Sequence, residues 1–84
     1  MSVSTAAKEL AHPALVEIFA EVFNYTDALT LETSPAEVVR WDSLQHIALV
    51  RMLETTYGIQ LSLDEMMEMR SVGDIERVLE RHGV

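Results

Sequence analysis

The amino-acid sequence predicts an all-α protein: a small four-helix bundle with three main helices, one short helix and a long loop between the first two. Apolar residues recur at helical spacing along most of the chain, and a helix-start signal precedes each periodic segment. Eighty-four residues, 49% of them apolar, suit a single domain over residues 1–84. We expect residues 1–12 to form a loosely ordered tail.

The first predicted helix covers about residues 13–24, "PALVEIFAEVFN". Pro13 suits a first helical position because its φ angle is already helical. One stripe of this helix is apolar, and it consists of Leu15, Ile18, Phe19, Val22 and Phe23. The periodicity weakens between this helix and Trp41, so we expect a long loop in which Ser34 and Pro35 begin a single turn.

Three capping signals follow the loop, each a capping residue with a polar side chain three positions later. The predicted helices are about 43–57 after Asp42, 63–67 after Ser62 and 72–82 after Ser71. Gly58 and Gly83 stand where a helix ends in a residue that tolerates positive φ. The last helix should bury Val72, Ile75, Val78 and Leu79.

The helix after Asp42 has two apolar faces. One is a core stripe of Leu49, Val50, Leu53 and Tyr57. The other contains Leu44, Ile47 and Ala48, with Ser43 at its head and Arg51 at its edge. A bundle this small cannot easily bury both faces, so we expect the second to be an exposed contact surface. The alternative is a central helix that is contacted from both sides.

Ser43 is expected at the first position inside this helix. Backbone N–H groups are unbonded there and the helix dipole is positive, which would favour a phosphate esterified to the hydroxyl. A serine that only begins a helix fits the same position. A third interpretation is a small hydrolase in which His46, three residues later, acts as the base for Ser43. No residue stands out to orient that imidazole, so His46 is expected to be a partly buried helix residue.

Composition excludes several classes of function. The chain has no cysteine, so it forms no disulfide and no thiolate metal site. Asp42 and His46 are too few ligands for a metal centre. The net charge of −8 argues against nucleic acid as a partner. No apolar run reaches the length of a membrane span and no signal pattern is present, so we expect no membrane association and a cytoplasmic location.

Three stretches together resemble acyl carrier proteins: "WDSL", "HIALVRMLETTYGIQL" and "MMEMRSVGDIERVLERHG". These are small four-helix domains in which a D-S-L motif opens the second helix. The resemblance implies that Ser43, preceded by Asp42, receives a 4′-phosphopantetheine from coenzyme A. The thiol of that arm would carry acyl or aminoacyl groups as thioesters, and the chain itself would not be an enzyme.

The resemblance also implies partners. These are a phosphopantetheinyl transferase, a ligase that activates acyl or aminoacyl groups, and a downstream synthase or acyltransferase of fatty acid, polyketide or nonribosomal peptide biosynthesis. We expect a monomer that meets them through Trp41, Leu44, Ile47, Ala48 and Arg51. The alternative is a helical protein-interaction module with no covalent cofactor.

This sequence departs from fatty-acid-synthase carriers at two places. Trp41 replaces the usual small or acidic residue before the motif. The outward positions of the second helix hold Gln45, Ala48 and Arg51, and only Glu54 is acidic. The W-D-S-L opening looks more like that of stand-alone carriers of specialised pathways, or of peptidyl-carrier-like domains. Two further features have two interpretations each. Trp41 either anchors the loop or contacts a partner. The methionines Met52, Met66, Met67 and Met69 either fill the core or line an acyl pocket.

Overall fold

The computed structural model describes residues 10–84, and they form four α-helices. These are α1 (Ala14–Phe23), α2 (Ser43–Tyr57), α3 (Leu63–Glu68) and α4 (Val72–Arg81). No β-strand occurs in this part of the chain, so the prediction of an all-α bundle with one short helix is confirmed. Each predicted helix end lies within one residue of the observed one. Most of the predicted N-terminal tail, residues 1–9, lies outside the described residues.

The predicted caps start three of the helices. The Asp42 carboxylate accepts the Gln45 N–H at 2.8 Å. A reciprocal capping box forms at Ser62, whose hydroxyl accepts the Glu65 N–H while the Glu65 carboxylate accepts the Ser62 N–H. At Asp42 the cap has no reciprocal bond, because the Gln45 side chain donates to the Val22 carbonyl at 3.0 Å. That bond ties the start of α2 to the end of α1.

The long loop between α1 and α2 is held by its backbone. The carbonyls of Leu31 and Thr33 accept the N–H groups of Gly73 and Val72, each at 2.9 Å. These amides belong to the first turn of α4, where no partner within the helix exists. The predicted turn at Ser34 is present, since its carbonyl accepts the Val38 N–H at 3.1 Å. The loop is therefore built into the bundle.

The core lies between α1, α2 and α4, and the loop contributes to it. The largest side chains with less than 2% exposure are Phe19, Leu15, Leu49, Leu53, Ile75, Leu79, Val38, Val72 and Val78. The predicted core stripes of α1, α2 and α4 are confirmed, with Val22 and Tyr57 half-buried at their margins. Gly58 ends α2 at a φ of 65°, as its position predicted.

A buried carboxylate holds residues 10–12 to α4. Glu76 is 6% exposed and accepts the N–H groups of Ala11 and His12, each at 3.0 Å. The His12 Nε2 donates to the Val84 carbonyl at 2.7 Å. A histidine that flanks a helix end is expected to be solvated, but His12 is buried. His82 stays partly exposed, and its ring bonds the Glu65 carboxylate.

Candidate functional site

Ser43 is exposed at the first residue of α2. Asp42 bonds the next turn, since its carboxylate accepts the Gln45 N–H and its carbonyl accepts the His46 N–H. Among the hydrogen bonds of residues 10–84, none uses the N–H groups of Ser43 and Leu44. The side-chain oxygen of Ser43 therefore lies beside two available amides at the positive end of a long helix, which is a favourable place for an anion.

An open cleft of about 520 Å³ lies next to Ser43. It separates the start of α2 from α3 and the residues that follow α3. The lining residues are Pro35, Trp41, Asp42, Ser43, His46, Ile47, Met66, Met67, Met69 and Arg70. Its volume falls within the range of small-molecule sites, and thioethers and rings dominate its walls. Its shape and chemistry suit an apolar group tethered close to the serine.

The methionines divide between the two expected roles. Met69 is 2% exposed and belongs to the core, and the half-buried Met52 packs against that core. Met66 is also half-buried, whereas Met67 is 63% exposed. Met66, Met67 and Met69 all contribute to the cleft wall. Flexible thioethers adapt to differently shaped apolar groups, so this wall can adjust to an occupant.

Trp41 anchors the loop. It is 5% exposed and packs perpendicular to Phe19, with ring centroids 5.3 Å apart, and near-parallel to Phe23 at 5.6 Å. This burial favours the anchor interpretation over that of an exposed partner contact. Part of the indole also lines the cleft, so the same side chain joins the core to the site.

His46 bridges the two walls of the cleft. The Trp41 Nε1–H donates to His46 Nδ1 at 2.9 Å, and His46 Nε2 lies 2.7 Å from the Met66 carbonyl oxygen. An indole nitrogen can only donate, so Nδ1 is the acceptor and the proton is on Nε2. Both ring nitrogens are therefore engaged, and neither is available to take a proton from Ser43. The prediction of a partly buried helix residue is confirmed, and the hydrolase interpretation lacks its base.

The second apolar face of α2 is exposed. We call Leu44, Ile47, Ala48 and Arg51 the α2 patch. Leu44 is 74% exposed and Ile47 48%, while the opposite stripe of the helix is buried. The interpretation of a helix contacted from both sides is therefore wrong for α2. A shallow groove of about 570 Å³ runs along this patch.

Comparisons with known proteins identify a family and a similar solved structure. The sequence profile of the family described as phosphopantetheine attachment site matches residues 13–79. The solution NMR structure of the holo acyl carrier protein from Geobacter metallireducens aligns with a TM-score of 0.73 and 38% sequence identity. That alignment covers 81% of this chain and 79% of the other. No curated protein matches the sequence. Within residues 10–84, no helix has the length and hydropathy needed to cross a membrane.

Proposed function

This chain belongs to the phosphopantetheine attachment site family, and we propose that Ser43 is the residue that carries the arm. As a member, the chain is a non-catalytic acyl carrier with a covalently attached 4′-phosphopantetheine. Carriers of this kind work with phosphopantetheinyl transferases and biosynthetic enzymes.

The observation that carries the proposal is the free hydroxyl of Ser43. Four serines lie within residues 10–84, and the other three use their hydroxyls in local structure: Ser62 and Ser71 cap helices, and Ser34 bonds within its turn. The Ser43 hydroxyl has no hydrogen bond to any described residue, and it is exposed. Esterifying it would break no contact, whereas esterifying Ser62 or Ser71 would remove a helix cap.

Each neighbour of Ser43 has a role in this proposal. Asp42 holds the first turn in place, so that the amides of Ser43 and Leu44 face the phosphate. The terminal thiol of the arm supplies thioester chemistry when the group is bound. Trp41 and His46 hold the cleft wall, and the methionines offer an apolar surface that shields a carried group from water. The chain thus supplies position, while partner enzymes supply catalysis.

The α2 patch supports a docking role. Its apolar residues lie on the same helix as Ser43 and remain exposed, which is typical of contact surfaces. We propose that the transferase, an activating ligase and a downstream synthase or acyltransferase contact Leu44, Ile47 and Ala48, with Arg51 at the margin. Tethering would raise the effective concentration of the carried group at each partner. A monomeric state, a cytoplasmic location and service in a specialised pathway stay predictions.

The test is a loading reaction with a matched serine control. The chain is incubated with coenzyme A and a broad-specificity phosphopantetheinyl transferase, and its intact mass is measured. We expect a gain of one phosphopantetheine in the wild type and in Ser62→Ala, and none in Ser43→Ala. Loading of Ser43→Ala would place the arm elsewhere and contradict the proposal. If the wild type gains no mass under conditions that load another carrier, a helical protein-interaction module without a covalent cofactor would be the better interpretation.

A further inference from the structure

Arg70 is a cation on the wall of the cleft that contains Ser43. Its side chain is exposed, and its guanidinium forms no ion pair or hydrogen bond with any residue in the described range 10–84. The chain is strongly acidic overall, with 14 acidic residues against 6 basic ones. Arg40 and Arg51 also lack an ion pair among the described residues, but of these three arginines only Arg70 lines the cleft that contains the proposed attachment residue.

The acids close to Arg70 in sequence are committed to other groups. Asp74 accepts the Arg77 guanidinium with one oxygen and the backbone N–H of Arg70 with the other, at 3.2 Å. Glu68 pairs with Arg81. Both carboxylates are thus satisfied by other donors, and the guanidinium of Arg70 remains available to an oxyanion that comes from elsewhere.

The backbone around Arg70 is anchored on both sides. Met69 before it is 2% exposed in the core, and Ser71 after it caps α4 by accepting the Asp74 N–H. The Arg70 N–H is itself held by Asp74. The base of the side chain is therefore fixed, and only the side-chain torsions need ordering when the guanidinium meets a ligand. This lowers the entropic cost of binding.

The chemistry of this wall fits a phosphate. A guanidinium presents paired N–H donors that match two oxygens of a phosphate or carboxylate. The available amides of Ser43 and Leu44 lie at the positive helix end that borders the same cleft. Asp42 also lines the cleft, but its carboxylate accepts the Gln45 N–H and forms no ion pair with Arg70. An oxyanion between the head of α2 and Arg70 would satisfy both sets of donors.

We propose that Arg70 binds the phosphodiester of the arm and holds the first part of the arm against the cleft. This inference rests on attachment at Ser43. A carboxylate at the far end of a carried group has the same chemistry. The phosphodiester, however, is covalently fixed next to the cleft whatever the cargo, so its effective concentration there is always high. Arg70 is thus a positioning residue for the arm.

The test uses NMR on the loaded chain with a free thiol. We expect the Arg70 Nε–H resonance to shift between the unloaded and the loaded protein. We also expect Arg70→Gln to move the ³¹P resonance of the arm, and this difference between wild type and variant to shrink in concentrated salt, which screens exposed charges. Arg40→Gln is the matched control: it removes an exposed arginine near the serine in sequence but outside the cleft lining. It should leave the ³¹P resonance unchanged.

Two outcomes would overturn the inference while leaving attachment at Ser43 intact. In the first, the chain gains the arm by mass, but loading does not shift the Arg70 Nε–H resonance and Arg70→Gln does not move the ³¹P resonance. A ³¹P shift in Arg40→Gln equal to that in Arg70→Gln would count in the same way. The other is an Arg70 shift that appears only after loading from succinyl-coenzyme A and not from butyryl-coenzyme A or coenzyme A, which would assign Arg70 to a cargo carboxylate. A chain that gains no mass would instead refute the attachment itself.

Discussion

His46 connects three parts of the site through one ring. Its Nδ1 accepts from Trp41 in the loop, its Nε2 donates to Met66 in α3, and its own backbone belongs to α2. The planes of the imidazole and the indole lie only 10° apart, so the two rings are nearly coplanar where this hydrogen bond joins them edge to edge. The spacing of His46 after Ser43 suggested a catalytic pair, but the bonding of the ring indicates a structural bridge that shapes the cleft.

Replacing this bridge should destabilise the fold. In His46→Phe the ring remains, but the Trp41 N–H and the Met66 carbonyl lose their partner. We expect the free energy of unfolding to fall by about 1–3 kcal/mol, as for other partly buried groups left unsatisfied. Urea unfolding measures this, with Thr55→Ala on the exposed side of α2 as the control. A His46→Phe variant as stable as the control would contradict the bridge.

Tyr57 differs from His46 in that its buried polar group lacks a hydrogen-bond partner within residues 10–84. Its hydroxyl is buried and has no hydrogen-bond partner among the described residues, and burial together with the nearby Glu76 raises its pKa. Tyr57→Phe removes this unsatisfied hydroxyl and keeps the ring. We expect the variant to be more stable by about 1 kcal/mol. Tyr25→Phe is the control, since the Tyr25 hydroxyl bonds Ala28 in an exposed setting and its loss should change little. Destabilisation by Tyr57→Phe would mean that the hydroxyl has a partner in solution.

At the scale of elements, α3 is the helix that depends least on burial. None of its residues is buried, so its capping box, the bond from His46 to the Met66 carbonyl and two side-chain contacts to the end of α4 hold it, with the half-buried Met66 against the core. Those contacts join Glu65 to His82 and Glu68 to Arg81. This helix forms one wall of the cleft, and charged contacts therefore control part of the site.

These contacts predict a dependence on pH. The Ser62 N–H, and then the His82 imidazole, hold the pKa of the Glu65 carboxyl below its ordinary value. A carboxyl with a lowered folded-state pKa stabilises above its ordinary pKa, and this stabilisation is lost as the pH falls through the folded-state value. We expect unfolding free energy to decline less between about pH 6 and about pH 3 in Glu65→Gln than in the wild type. Parallel declines would show that this carboxyl does not contribute.

The elements were predictable from the sequence because their signals are local. Asp42, Ser62 and Ser71 each act within the first turn of the helix they start, and Gly58 acts within one residue of an end. The apolar stripe of α1 is likewise a property of ten consecutive residues. The exposed face of α2 was predictable for the same reason, since one helix in a thin bundle cannot bury two faces.

At the scale of the whole molecule, long-range polar contacts escaped prediction. Glu76 contacts Ala11 and His12 across 65 and 64 positions of sequence, respectively, and no short sequence pattern indicates such a pair. One signal was present, because Glu76 lies between Val72 and Leu79 on the buried face of its helix. The cleft was also beyond prediction in detail, since Arg70 and Ser43 line one cleft only once α3 is held to the start of α2 through His46 and Met66.

Removing the buried carboxylate should release the N-terminal segment. Glu76→Ala leaves the N–H groups of Ala11 and His12 without their acceptor. We expect these two amides to exchange with deuterium much faster, and the unfolding free energy to drop by about 1–3 kcal/mol. Glu80→Ala, an exposed acid on the same helix, should change neither. Unchanged protection of Ala11 and His12 in Glu76→Ala would refute this role of Glu76.

Mapping the arm onto a peptide tests the central claim most directly. Cleavage after arginine releases residues 41–51, "WDSLQHIALVR", in which Ser43 is the sole hydroxyl-bearing residue. After loading with coenzyme A and transferase, we predict that this peptide alone gains the mass of a phosphopantetheine. A loaded chain in which this peptide keeps its unmodified mass, with the added mass on a peptide containing Ser34, Ser62 or Ser71, would contradict the account.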